Sequence, residues 1–394
     1  MDKQSKAKIA CLLAAFFVEA CAAQMLFIYV PLSMLSVSGD EFMSSLLRAT
    51  VYVGPVAFGY FAGKLVDDVN PRDLGFLIAL ALCLGVAFYA IQQEAALLGM
   101  FVLLSVLSIG VYTMSNLRAC ILPRIAHIDL LPRMNAGLLV VEHCALIVSP
   151  IAVSCILKLQ LSGLVFFSAS FCFLLSSFLC RYSFSNQPLR IARGAPGSFV
   201  FSFRALVQIK PLMQVVYVVI GNNSFTAIYL FFVLLSASES GLFNLSETPY
   251  LLVLFALGSI VSGVFTPSVM RVVNVRTAVC ISSTGMAASG VLPLGLGTVE
   301  SYYFSAFLVG LFGAYVIITA WTLRQALVPT DLLGRVTGIT SALFKISMLV
   351  SVPLAGLISS FFGSAVAILV STLPVAVGLA PMALASLKVK MSNR

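Results

Sequence analysis

The sequence predicts an all-α membrane protein of twelve transmembrane helices, on three observations. First, 60% of the 394 residues are hydrophobic, only 9% are charged, and mean hydropathy is +1.08. A soluble chain carries about 25% charged residues to cover its surface, so this one must face lipid. Second, the apolar residues run unbroken over stretches of about 20 positions, the length that crosses a hydrocarbon core. They do not alternate with polar residues as in a membrane barrel. Third, the basic residues fall almost entirely on one side of the alternating spans.

The twelve apolar segments are roughly 9–35, 43–63, 73–92, 95–118, 133–157, 161–181, 211–236, 249–270, 276–297, 299–323, 335–360 and 362–386. Span 1 follows Lys3, Lys6 and Lys8 and is too long for a signal-peptide core, so it is read as uncleaved. Ser38-Gly39-Asp40-Glu41 forms a capping-box pattern before span 2. Asn70-Pro71-Arg72-Asp73 supplies an N-cap, a proline at the first helical position and a first-turn acid for span 3. Thr248-Pro249 does the same for span 8. With a cytoplasmic N-terminus, 20 of the 23 basic residues lie inside, Arg118 at the end of span 4 and Arg324 at the end of span 10 among them. Arg48 and Lys158 lie outside and Lys345 falls within a span. This predicts cytoplasmic N- and C-termini. It also accounts for the net charge of +9 without nucleic acid. The nine cysteines sit in or beside apolar runs with no CxxC pair, so they read as packing residues, with no metal or cofactor implied.

The polar stretch 186–210 divides the chain into six-helix bundles, 1–185 and 211–394. It carries four basic residues and no acid, which reads as a linker and topology determinant or as a contact with anionic lipid. Phe199, Phe201 and Phe203 alternate with polar or small residues there, as in a short interfacial segment. The two halves also repeat. Leu117-Arg118 to Pro123 matches Leu323-Arg324 to Pro329, Arg133 to Gly137 matches Arg335 to Gly338, and Ser149-Pro150-Ile151-Ala152 matches Val352-Pro353-Leu354-Ala355. The near-constant spacing predicts parallel repeats about an axis along the membrane normal, with a site between the halves near the midplane.

This layout resembles the major facilitator superfamily over the whole chain. Gly63-Lys64-Leu65-Val66-Asp67 followed by Arg72 is similar to the superfamily's loop signature after span 2, with Asn70-Pro71 in place of a glycine. Ala145 to Ser154 in span 5, around Ser149-Pro150, resembles the motif of its antiporters with most glycines replaced. Leu333-Gly334-Arg335-Val336 with Gly338 looks like the macrolide-efflux and siderophore-exporter branch. The arginine that many proton-coupled drug antiporters carry within span 4 is not seen here. The resemblance implies secondary active transport of a small molecule, driven by the proton gradient, by a monomer in a bacterial inner membrane. Export of a carboxylate or siderophore-like molecule is the leading reading. Import of a polar metabolite and efflux of cationic or neutral drugs are the alternatives. A membrane-embedded enzyme would need a nucleophile with a base or a metal cluster. The two histidines, His127 and His143, and the scattered acids supply neither.

An ionisable side chain within a span costs about 2.5–3.5 kcal/mol on insertion scales and marks function by default. Glu19, Glu142, His143 and Lys345 each lie about ten residues, or about 15 Å, from the cytoplasmic end of their spans, at the level of the midplane. Asn222-Asn223 lies at the same depth in span 7, and Gln24 one turn beyond Glu19. These seven residues are the candidate substrate and proton site. A purely structural pair of Glu142 with Lys345 is the alternative. The repeat sets His143 opposite Lys345, a basic pair suited to an anionic substrate. Glu19, far along the chain from any base, is the expected proton carrier. Asp67 stands at the C-terminal end of span 2, where the helix dipole disfavours an anion. It needs either Arg72 or the start of span 11 near Gly334-Arg335. Gly63, Asp67, Arg72 and Arg335 are therefore the expected conformational latch.

Overall fold

The computed structural model describes residues 3–38, 41–92, 97–125, 127–183, 198–243 and 249–392. Among these are fourteen α-helices and one 3₁₀ turn, with no strand. Eleven helical segments are long and apolar enough to cross a membrane. The second expected span is covered by a 28-residue helix, Glu41–Asp68. The expected cap at Ser38 to Glu41 and the start of span 8 at Thr248 fall partly outside the described residues, as do 184–197 of the expected linker.

Contacts divide the chain into two compact units. The first comprises Met1–Ala126, Val141–Phe203 and Val328–Ala342. Its helices are α1 (Lys3–Ser38), α2 (Glu41–Asp68), α3 (Pro71–Gln92), α4 (Leu97–Ile125), most of α5 (Leu131–Lys158) and α6 (Gly163–Ser183). Helix α6 packs on α1 and α3, and α2 packs on α4. The core lies between these helices, on Leu26, Leu104, Leu107, Val165, Ala169 and Phe173. Two polar side chains close the backbone there: Ser176 donates to the Ala15 carbonyl and Ser149 to the Cys21 carbonyl.

The second unit comprises His127–Val140, Arg204–Leu327 and Leu343–Arg394. It holds the start of α5, the end of α7 (Phe199–Gln208), then α8 (Lys210–Glu239), α9 (Pro249–Val272), α10 (Val275–Leu296), α11 (Val299–Leu327) and most of α12 (Leu333–Phe362). The last expected span is two helices, α13 (Ser364–Val370) and α14 (Thr372–Ser392). The chain enters α13 from Gly363 at φ 84°, a conformation open to glycine. The pairings repeat those of the first unit: α14 packs on α8 as α6 does on α1, and α11 on α9 as α4 does on α2. Phe225, Tyr229, Phe232, Met286 and Val309 form this core.

The helix ends correct two sequence boundaries. Helix α4 continues past Arg118 to Ile125 and α11 past the expected end at 323 to Leu327. After the first arginine Cys120, Ile121 and Leu122 stay buried, and after the second Gln325 does, so each helix continues inside the protein. Arg118 and Arg324 are each only 4% exposed, and so belong to helix interiors rather than loops.

Small residues set the closest helix crossings. In the first unit Gly59 and Gly63 of α2 face Gly338 and Gly334 of α12, so near that a Cβ on any of the four would overlap a backbone carbonyl. In the second unit Gly258 and Gly310 meet the carbonyls of Phe307 and Phe255 across α9 and α11. Gly85 of α3, by contrast, has open space where a Cβ would stand. Gly310→Ala should therefore destabilise the purified protein by about 1–3 kcal/mol through overpacking. Gly85→Ala should stabilise it by up to about 1 kcal/mol through helix propensity. Thermal unfolding in one detergent measures both, and equal shifts would contradict the packing assignment.

Candidate functional site

The first unit contains two buried charge clusters. In the first, Arg118 of α4 donates from Nη1 to Glu19 Oε2 of α1 at 2.5 Å, with side chains 5% and 1% exposed. The guanidinium also lies 3.8 Å over the ring of Phe16, one turn before Glu19. A planar cation stacked on an aromatic face is held in position as well as neutralised. Glu19 Oε1 is buried with no hydrogen-bond partner among the described residues. The expectation that Glu19 stands apart from any base is thus corrected. Its partner is 99 residues away in sequence, and becomes a neighbour because α4 runs two turns further than its apolar pattern indicates.

The second cluster ties α2 to the start of α12. Asp67 Oδ1 accepts from the Gly334 amide at 2.9 Å, and Oδ2 from the Arg335 amide at 3.0 Å. The Arg335 guanidinium approaches Asp67 at 3.8 Å and donates to Asp68 Oδ1 at 3.2 Å. The carboxylate stands at the wrong end of its own helix but at the right end of α12, where free amides and the dipole favour an anion. Of the two expected partners, the start of span 11 is the one engaged. Among the described residues no ion pair joins Asp67 to Arg72, whose amide donates to the Asn70 carboxamide at 3.0 Å as a helix cap. From α4, Tyr112 donates to the Gly338 carbonyl at 3.2 Å and Asn116 to the Gly334 carbonyl at 3.5 Å. Gly63 is buried at this crossing because α12 passes too near for a side chain.

The remaining candidates divide between the units. In the first, Gln24 and His143 are half-buried and Glu142 is exposed on α5. In the second, Asn222 is buried and donates to Ser283 Oγ of α10 at 3.0 Å, while Asn223 is half-buried. Lys345 is half-buried, its Nζ 3.8 Å from Met348 Sδ. Asn222 is therefore engaged with α10, whereas Asn223 on the next helical position points elsewhere. Among the described residues no cluster of three or more His, Cys, Asp or Glu side chains has a metal-binding arrangement.

A third polar cluster was not read from the sequence. Asn135, in the second turn of α5, donates to Thr322 Oγ1 at 3.0 Å and Gln325 Oε1 at 2.7 Å of α11, all three buried in the second unit. It is the repeat counterpart of the α12 cluster: Gly59 corresponds to Gly263, against which Ala136 and Val140 pack, and Asp67 corresponds to Arg271. Asn135 thus ties the start of α5 to α11 with neutral groups, as Tyr112 and Asn116 tie α12 to α4 in the first unit. The repeated Leu-Arg strings were the one available signal for these clusters, since they set Arg118 and Arg324 at equivalent places among residues that are otherwise apolar.

The model of the Major Facilitator Superfamily matches residues 12–351. No curated protein sequence matches the chain. Among solved structures, the chain resembles a bacterial homologue of the iron transporter ferroportin in an outward-facing state, at 16% identity and a TM-score of 0.75, over 98% of this chain and 100% of that one. It resembles the E. coli fucose:proton symporter at 13% identity and a TM-score of 0.79, over 97% of this chain and 99% of that one. It resembles a human organic anion transporter at 12% identity and a TM-score of 0.80, over 98% and 100%. At these identities the likeness is one of fold. The family match spans most of the sequence, and with the membrane-crossing helices it makes this a multi-pass membrane transporter rather than an enzyme: the chain belongs to the major facilitator superfamily.

Proposed function

We propose that this transporter moves a small organic anion coupled to protons, by alternating access, through twelve spans with both termini cytoplasmic in a bacterial inner membrane. The chain is built of two six-helix halves, 1–185 and 211–394, which 186–210 links as a cytoplasmic segment. The observation that carries this reading is the buried Glu19–Arg118 pair.

Removing one partner of a buried ion pair leaves a charge whose desolvation is uncompensated, at about 3–5 kcal/mol. A proton on Glu19 does this to Arg118. A carboxylate on the substrate restores the balance by taking the place that Glu19 gives up. Proton and anion then bind together and leave together, and an inward proton gradient drives uptake. His143 and Lys345, equivalent in the repeat, add two further groups suited to an anion, with Gln24, Glu142, Asn222 and Asn223 as polar partners. Gly63, Asp67, Arg72 and Arg335 form the latch that holds one conformational state. The protein acts as a monomer surrounded by lipid and needs no cofactor.

Export in exchange for protons is the second reading. The antiporter-like segment around Ser149-Pro150 favours it, as does the likeness of Leu333 to Gly338 to siderophore exporters. Proteoliposomes given labelled citrate, a small polycarboxylate, separate the two. An acidic exterior should drive accumulation by cotransport and should hasten loss of preloaded citrate by exchange. Indifference of citrate movement to the gradient in both assays would reject proton-coupled anion transport.

Three substitutions test the residues. Glu19→Gln should lower gradient-driven accumulation at least about tenfold while downhill exchange stays within about threefold of wild type; retained accumulation would remove the proton from this site. Asp67→Asn should reduce transport about fivefold or more in correctly inserted protein, since the neutral amide interacts more weakly with the helix N-terminus. Unchanged transport would make Asp67 a structural acid alone. Lys345→Gln should abolish transport of anionic substrates and spare neutral ones. An equal loss for all substrates, with a lowered unfolding temperature, would make Lys345 structural.

A further inference from the structure

Helix α7 is ten residues long, about 15 Å, too short to cross a bilayer. At about 100° per residue its side chains fall into three sectors. Ser202, Leu206 and the half-buried Ala205 face the protein. Phe199, Phe203, Val207 and Val200 form the next sector, and are 49%, 40%, 46% and 62% exposed. Arg204, Gln208 and Phe201, all exposed, form the third, in which Phe201 is 49% exposed. A protein-facing sector, an apolar sector and a sector carrying both polar heads and Phe201 thus follow one another around a single short helix, the arrangement of a helix lying in the plane of a membrane interface.

Its depth is fixed by α2. Phe199 stacks edge-to-face on Tyr60, ring centroids 5.3 Å apart, and parallel to Phe203 at 6.0 Å. Lys64, exposed on α2, lies one turn, about 6 Å, nearer the helix end than Tyr60. The apolar sector therefore starts about one turn beneath a cation, within the 5–10 Å to which interfacial helices sink. The sequence that leads into and through α7 carries charge of one sign: 186–210 holds Arg190, Arg193, Arg204 and Lys210 and no acid.

We propose that α7 is a docking surface for anionic phospholipid, its apolar sector among acyl chains and its cationic residues, Arg204 and the Lys210 that follows the helix, on the headgroups. Lipid charge is the partner that the chemistry selects, because each basic residue near an anionic surface adds to the binding. The inference does not depend on substrate, coupling or the side of the membrane.

The test uses the full chain in nanodiscs. Trp321 is the sole tryptophan, so Trp321→Phe with Phe203→Trp leaves one reporter on the apolar sector. Brominated phosphatidylglycerol should quench it at least about twofold more than brominated phosphatidylcholine at equal mole fraction. Adding Arg204→Gln and Lys210→Gln should make the two lipids equivalent. Val200→Trp, at the most exposed position of the sector, repeats the measurement should Phe203→Trp fail to fold. Equal quenching by both lipids with the basic residues intact would overturn the charge selection. Absence of quenching by either would overturn the docking.

Discussion

Asp67 sits where its own helix repels it and is held by the first amides of another. Buried carboxylates survive in apolar surroundings only when fully engaged. Here two backbone donors and a guanidinium meet one side chain, and that engagement fixes the start of α12 on α2. The glycines follow from it. To bring the Gly334 amide within hydrogen-bond range of Asp67, α12 must run almost backbone to backbone against α2, which admits no Cβ at Gly59, Gly63, Gly334 or Gly338. The contributions of Tyr112 and Asn116 from α4 then complete the crossing, using α12 carbonyls that close packing leaves within reach.

The Glu19–Arg118 pair obeys the same rule with side chains alone. Glu19 has one oxygen engaged and one without a hydrogen bond, and Arg118 spends its other face on Phe16. This pair is less completely satisfied than Asp67. A buried network with an unused acceptor is the place where a change in protonation has most effect.

Much of this was legible in the sequence, for physical reasons. The apolar runs located helices because lipid leaves the backbone no other way to satisfy its amides. Asp67 stood out because a carboxylate at a helix C-terminus contradicts the dipole, and Gly334-Arg335 was among the two partners that could resolve it. Arg118 was misplaced for the converse reason. An arginine at the apparent end of an apolar run looks like a boundary, and only the acid contributed by α1 lets the helix carry it inward. Asn135 was invisible because its partners, Thr322 and Gln325, are neutral and common, so nothing in their spacing marks them.

The contact of Gly59 and Gly63 with Gly334 and Gly338 is made by main chain against main chain. Side chains that meet at an interface surrender rotamer freedom each time it forms, up to about 1.5–2 kcal/mol for the longest. Glycines have none to surrender. At the glycines this crossing therefore forms without the entropic penalty that interdigitated leucines would incur, and close backbone dispersion adds there to the hydrogen bonds and charge attraction around Asp67. Such a joint confines side-chain ordering to the few groups that hydrogen-bond across it, Asp67, Arg335, Tyr112 and Asn116.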